Sequence, residues 1–184
     1  MDLHTFPVDR ADALEEPERY RYCSAEELVS ALRVGPDGRV ADLGSGTGFY
    51  TDDVAPFVDT VYAVDVQPAM HDRYREKGIP DNVVTVTAAV ASLPFATDAL
   101  DGAFSVATHH EYAEPAAVAE LARVIRPGGL LVTVDWSADG RGEDGPPLEE
   151  RFGLGESIAR MEEAGFAVES ARSRTETFVL VVER

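Results

Sequence analysis

Three groups of residues could do chemistry at the spacing in which they occur. The first is Asp42-Leu-Gly44-Ser45-Gly46-Thr-Gly48. Alternating glycines let a backbone turn sharply, approach a ligand closely and present amide N–H groups with no Cβ in the way. Asp42, two residues ahead of the first glycine, adds a carboxylate that can take a cationic group. The pattern departs from the dinucleotide fingerprint Gly-x-Gly-x-x-Gly because Phe49 stands where its third glycine would be, which disfavours a nicotinamide dehydrogenase. The second group is Asp65, 23 residues after Asp42, a carboxylate closing an apolar run. The third is His109-His110-Glu111-Tyr112. A histidine can remove a proton from an attacking O, N or activated C near neutrality, or it can simply line a pocket or pair with a carbonyl. Neighbouring residues on a strand point apart, so no metal site is expected there.

These groups need a scaffold that brings them to one edge. Arg39 to Leu43, Thr60 to Asp65, Val83 to Thr87, Gly102 to Thr108 and Leu130 to Trp136 read as strands, several of them the near-continuous apolar runs of a sheet buried on both faces. Between them lie helices: one after Gly48 carrying Phe49, Val54 and Phe57, one from Pro68 to a stop at Gly78, and one opened by Pro115 and broken by Arg126-Pro-Gly-Gly129. Upstream, Ser24-Ala-Glu-Glu27 is a capping box for a further helix. Leu154, Ile158 and Met161 line another, closed by Gly165, before two final strands at Phe166 to Ala171 and Thr177 to Val182. Alternating strand and helix implies an α/β doubly wound sheet with one antiparallel member at its end. In such sheets ligands collect beyond the carboxyl ends of the strands.

With 184 residues, the chain suffices for one α/β domain spanning 1–184. No apolar run approaches a membrane span and no leader pattern opens the chain, so a soluble cytoplasmic protein is expected. Cys23 is the only cysteine, which excludes an internal disulfide or a thiolate metal cluster. Acidic residues number 34 against 16 basic ones, for a formal net charge of −18, and Lys77 is the sole lysine. That excess opposes binding of a phosphate backbone, so no nucleic-acid partner is expected. It also suggests adaptation to high salt, where counterions screen the repulsion. The expected result is a higher melting temperature in molar potassium chloride than in dilute buffer; equal values would defeat the halophilic reading.

Asp42 to Gly48 resembles the cofactor loop of class I S-adenosylmethionine-dependent methyltransferases. Val61-Tyr-Ala-Val-Asp65, Ser92-Leu-Pro-Phe95, His109-His110 and Arg123-Val-Ile-Arg-Pro-Gly-Gly129 follow in the order and spacing of the small-molecule members related to the ubiquinone and menaquinone C-methyltransferases. Together they cover roughly residues 24 to 183. The resemblance implies a Rossmann-like seven-stranded sheet of order 3-2-1-4-5-7-6 with strand 7 antiparallel. It also implies S-adenosyl-L-methionine as cofactor and in-line methyl transfer to a small, apolar or aromatic acceptor.

Residue by residue, it implies that the amides of Gly44, Ser45, Gly46 and Gly48 receive the methionine carboxylate and Asp42 the ammonium, directly or through a water. Asp65 accepts the ribose hydroxyls and Val66 packs on the adenine. Relatives usually read Gly-Asp-Ala-x-x-Leu-Pro-Phe where this chain has Ala88-Ala-Val-Ala-Ser-Leu-Pro-Phe95, so Ala89 replaces the carboxylate that accepts from the adenine amino group. The base must then be held by the Val90 backbone, by stacking, or by another acceptor. That departure leaves open a rival reading as a noncatalytic cofactor-binding protein. His109 and His110 fall where the acceptor would sit. The Asn/Asp-Pro-Pro-Tyr/Phe motif of DNA and glutamine N-methyltransferases is absent. Residues 4 to 23, either partly disordered or folded over the pocket, and the loop 137–152 are the expected specificity walls. Within that loop Arg151 is expected to meet an acidic substrate or to form a surface ion pair beside Glu149 and Glu150; Trp136 and Phe152 are expected to serve as apolar pocket walls or, more simply, to pack in the core or loop.

Overall fold

The computed structural model describes residues 5–184, so His4 of the expected wall lies outside it. Seven strands form one sheet in the order β3-β2-β1-β4-β5-β7-β6. They are β1 (Arg39–Leu43), β2 (Thr60–Asp65), β3 (Val83–Thr87), β4 (Leu100–Val106), β5 (Ile125–Trp136), β6 (Ala167–Ser173) and β7 (Thr177–Glu183). The first five run parallel, and β7 pairs antiparallel with both β5 and β6. Helices α1 (Ala25–Leu32), α2 (Phe49–Val54), α3 (Pro68–Lys77), α4 (His109–Tyr112), α5 (Pro115–Val124) and α6 (Leu154–Glu163) complete the fold. Ser24 caps α1 as its sequence predicts, with its hydroxyl accepting from the Glu27 amide at 3.1 Å. Among the described residues, no helix is long and apolar enough to cross a membrane.

Period-two alternation along the apolar strands divides the core into two layers. Phe104, Val132 and Val181 join Leu28, Tyr50 and Val54 on one side, while Ala103, Leu131 and Leu180 join Leu121, Met161 and Phe166 on the other. The sheet is therefore covered on both faces. At the carboxyl ends of the parallel strands it opens onto a cavity.

Several strand boundaries differ from the sequence expectation, two of them for a visible reason. β4 ends at Val106, not Thr108, because Ala107 turns into positive φ (58°) while its amide donates to the Val134 carbonyl. His109–Tyr112 consequently forms a single helical turn rather than strand, and its side chains diverge around that turn. β5 begins at Ile125: the Arg126–Gly129 segment ends α5 and loops out between the Leu100↔Ile125 and Gly102↔Leu130 pairings.

Residues 5–23 fold over the cavity as two short 3-10 segments, Val8–Glu15 and Pro17–Arg21. Polar ties hold them at both ends. The Gln67 side chain donates to the Phe6 carbonyl at 3.0 Å, Lys77 pairs with Glu15 at 3.2 Å, and the Tyr20 hydroxyl donates to Asp53 at 2.9 Å. At the far end Arg21 and the Tyr22 hydroxyl both reach Asp144 in the loop after β5.

Candidate functional site

A cavity of about 770 Å³ lies against the ends of β2 and β4 and the turn leaving β1. Its floor is made by Gly44, Ser45, Gly46, Asp65, Val66, Ala89, Val90 and His110. The lead-in and the segment Asp144–Pro147 close it from above. This is the position beside the reversal of strand order at which doubly wound sheets hold ligands.

Asp65 is nearly buried (8% exposed) and committed on both oxygens: Oδ2 accepts the Gly46 amide at 2.9 Å and Oδ1 the Gln67 amide at 2.8 Å. Burial pushes its pKa up, against those amides, which pull it down. A carboxylate has about four acceptor sites, so it can still take two hydroxyls from the cavity. Ala89 lines the same wall and offers no side-chain acceptor, as its sequence position implies.

The glycine turn departs from expectation in where its donors go. The amides of Gly44 and Ser45 both donate to the Val64 carbonyl, at 2.8 and 2.9 Å, that of Gly46 to Asp65, and that of Gly48 to the Ser45 carbonyl at 2.9 Å. None of these four is left for a carboxylate. Gly48, expected as a ligand contact, is absent from the cavity wall; its φ of +82° and the Tyr74 ring, which a Cβ would overlap, explain the glycine. Asp42 also lies off the wall. It is 3% exposed, its Oδ2 accepts the Thr51 hydroxyl at 2.6 Å, and burial pushes its pKa up to about 7. Of the two contacts expected with an ammonium, direct or through a water, this placement does not offer the direct one. Ser45 does face the site, and its buried hydroxyl has no partner among the described residues.

The two histidines separate. His109 is fully buried between Tyr112, Phe152 and Phe178, with ring centroids 5.4, 5.9 and 6.2 Å away, and is absent from the cavity wall. Burial lowers its pKa to about 4, so it remains neutral, and a base role for it is not supported by its place. His110 lines the cavity. Its Nδ1 lies 3.0 Å from Asp135 Oδ1, and its own amide donates to Asp135 Oδ2 at 2.6 Å. Burial alone would lower the His110 pKa, but Asp135, with Glu111 and Glu150, outweighs it and leaves it raised. Because the carboxylate can only accept, Nδ1 is the protonated nitrogen and Nε2 the free one. Glu111 Oε1 stands 4.0 Å from that Nε2, and burial pushes the Glu111 pKa up to about 7.

One charged side chain behind the cavity escaped the sequence reading. Asp135, 1% exposed, is the only charged residue in the run Leu130–Trp136, and a lone carboxylate in a buried strand was the available signal. Arg19 belongs to the segment 4–23 that was expected either to be partly disordered or to fold over the pocket, and the fold puts its side chain on the cavity wall. Arg151 is neither a substrate contact nor a surface ion pair. Its side chain is 1% exposed, pairs with Glu176 at 3.4 Å, donates to the Pro146 carbonyl at 2.8 Å and reaches the Asp144 carbonyl. Glu176 in turn accepts the amides of Arg141 and Gly142. Arg151→Ala is expected to cost about 3 to 5 kcal/mol, the penalty for stranding one member of a buried pair, measured by chemical denaturation. A loss below 1 kcal/mol would show that the loop holds itself.

Residues 41–133 match the family model described as "Methyltransferase domain". A demethylmenaquinone methyltransferase of Mycobacterium marinum is 36% identical over 109 residues, 59% of this chain and 46% of that protein. An uncharacterized protein of Mycobacterium tuberculosis, Rv1405c, is 32% identical over 120 residues, 61% of this chain and 42% of that one. The chain thus spans about half the length of these relatives. Among solved structures, a SAM dependent methyltransferase from Aquifex aeolicus superposes with a TM-score of 0.85 at 28% identity, covering 97% of this chain and 98% of that one. The putative methyltransferase solved in complex with the Haloferax volcanii Trm112 activator shares the fold, with a TM-score of 0.82 at 17% identity over 96% of each chain. The chain belongs to the methyltransferase domain family, and its sheet order is that of a class I S-adenosylmethionine-dependent methyltransferase.

Proposed function

We propose that this protein, acting as one domain, methylates a small molecule and uses His110 as the base that takes the acceptor's proton. The observation that carries this reading is that one cavity joins the Asp65 edge to a histidine held by a buried carboxylate. The residues fit the family cofactor: Asp65 can hold ribose hydroxyls, Val66 and Val90 can pack on the base, and the orphaned Ser45 hydroxyl can find its missing partner. Chemistry supplied by the bound cofactor is an electrophilic methyl on a sulfonium, open to in-line displacement.

The chain's own residues do the rest. The lead-in and Asp144–Pro147 exclude water from the reacting atoms. Tyr22 and Trp136, in edge contact at 4.6 Å, and Pro146 and Pro147 give the acceptor side apolar walls suited to an aromatic or apolar molecule. Asp135 fixes the imidazole by its Nδ1 proton, so Nε2 can accept a proton from an acceptor O–H or N–H as the methyl moves. No covalent intermediate with the protein is needed.

The test is titration calorimetry in molar potassium chloride with S-adenosylmethionine, S-adenosylhomocysteine and NAD, followed by an acceptor panel of phenols, amines and thiols scored for S-adenosylhomocysteine release. Binding of the first two ligands but not NAD, with turnover on at least one acceptor, is the expected result. Tight cofactor binding with silence over the whole panel would overturn the catalytic reading.

A further inference from the structure

Two contacts that a sheet edge of this family is expected to supply are missing here. Four amides of the glycine turn are consumed internally, and Ala89 cannot accept from an adenine amino group. The turn and Ala89 line the same cavity as the covering segment. Leu14 Cδ1 lies 3.0 Å from where a Cβ on Gly46 would stand, so the lead-in sits directly on the turn. Arg19, from that segment, lines the cavity; its Nη1 donates to the Leu14 carbonyl at 2.7 Å, and its guanidinium stacks over Phe49 and Tyr50 at 5.0 and 4.9 Å. Among the described residues it has no carboxylate within ion-pair distance. Asp42 and Glu15 attract its charge only from beyond that distance, so a half-buried guanidinium with no direct ion pair gains from an anion that arrives. At the other end of the segment, Phe6 lines the cavity beside Val66, anchored through its carbonyl to Gln67, with the Arg10 guanidinium over its ring at 5.6 Å.

We infer that the lead-in, rather than the sheet edge, reads both ends of the cofactor: Arg19 takes the methionine carboxylate and Phe6 covers the adenine, whose amino group no side chain reads. This rests on the cofactor reading of the same cavity. A planar guanidinium already held by one carbonyl and two rings has its remaining N–H groups pre-aimed for a carboxylate. A ring stacked on the base contributes affinity whether or not the amino group is present. The lead-in thereby sets cofactor selectivity as well as closing the site.

Calorimetry on the full chain tests this without turnover. Wild-type protein is expected to bind decarboxylated S-adenosylmethionine about 30-fold more weakly than S-adenosylmethionine, the factor carried by one charge-assisted contact. It should bind S-adenosylhomocysteine and its analogue with hydrogen in place of the 6-amino group within about threefold of each other, since neither loses a side-chain bond. Arg19→Ala should erase the carboxylate preference while leaving affinity for the decarboxylated ligand unchanged, and Arg19→Lys should restore part of it. Phe6→Ala should weaken the amino and desamino ligands equally. An Arg19→Ala protein that still prefers the carboxylate by the full factor, or a wild type that rejects the desamino analogue more than tenfold, overturns the inference. Folded wild type that binds neither parent ligand instead refutes the cofactor reading beneath it.

Discussion

Replacing His110 by alanine is expected to lower kcat about 10²- to 10⁴-fold while leaving S-adenosylhomocysteine affinity within a factor of two, because a positioned base contributes to the transition state and not to cofactor binding. Asp135→Asn makes the sharper experiment. Asp135 does not face the cavity; it is a positioning residue that holds the Nδ1 proton and favours the imidazolium. Its replacement should lower kcat and also move the acidic limb of the pH–rate profile to lower pH. The sign follows from the charge: the carboxylate raises the His110 pKa, the base works unprotonated, and removing the carboxylate lets it become unprotonated at lower pH. A merely structural role would reduce the rate without displacing the limb. His109→Ala, by contrast, should act on stability, since that ring fills a dry site between Tyr112, Phe152 and Phe178.

The same pair links stability to pH. A histidine whose folded pKa is raised contributes stability that is fully present below its unfolded value, about 6.5, and is lost as pH rises through the folded value. Asp135→Asn should flatten that slope in denaturation measured across this window. An unchanged slope would mean that the pair is not coupled in solution.

Asp65→Ala is expected to weaken S-adenosylmethionine and S-adenosylhomocysteine about 100-fold, from two hydroxyl bonds to a charged acceptor worth about 1.5 kcal/mol each at the low end. Loss of the carboxylate also strands the amides of Gly46 and Gln67, so the turn itself should loosen. Asp65→Asn separates the two effects. One carbonyl oxygen remains to accept, so affinity should fall less and the melting temperature should stay near wild type. Calorimetry and thermal melts of both variants decide the matter. Undiminished binding by Asp65→Ala would place the ribose elsewhere in the cavity.

Much of this protein is legible in its sequence because the information is local. Apolar runs such as Thr60–Asp65 and Leu130–Trp136 must be buried on both faces, Ser24 and Pro115 open helices by the groups they offer or lack, and Gly44 takes a conformation that disfavours a side chain. These features, with the resemblance they carry, led to the doubly wound sheet, the Asp65 edge and the His109-His110 pair after β4, without separating the two histidines. What required the tertiary structure is every contact between segments distant in sequence. Asp135 meets His110 across 25 residues, and Arg151 meets Glu176 across another 25. The divergence of His109 from His110 turns on Ala107, whose positive φ ends β4 and starts a helical turn that nothing in a local pattern announces. The fate of the glycine-turn amides was equally hidden, because their acceptors, the Val64 carbonyl and the Asp65 carboxylate, belong to the neighbouring strand. Local propensity chose the elements; only their packing decided which polar groups are spent within the protein and which remain for a ligand.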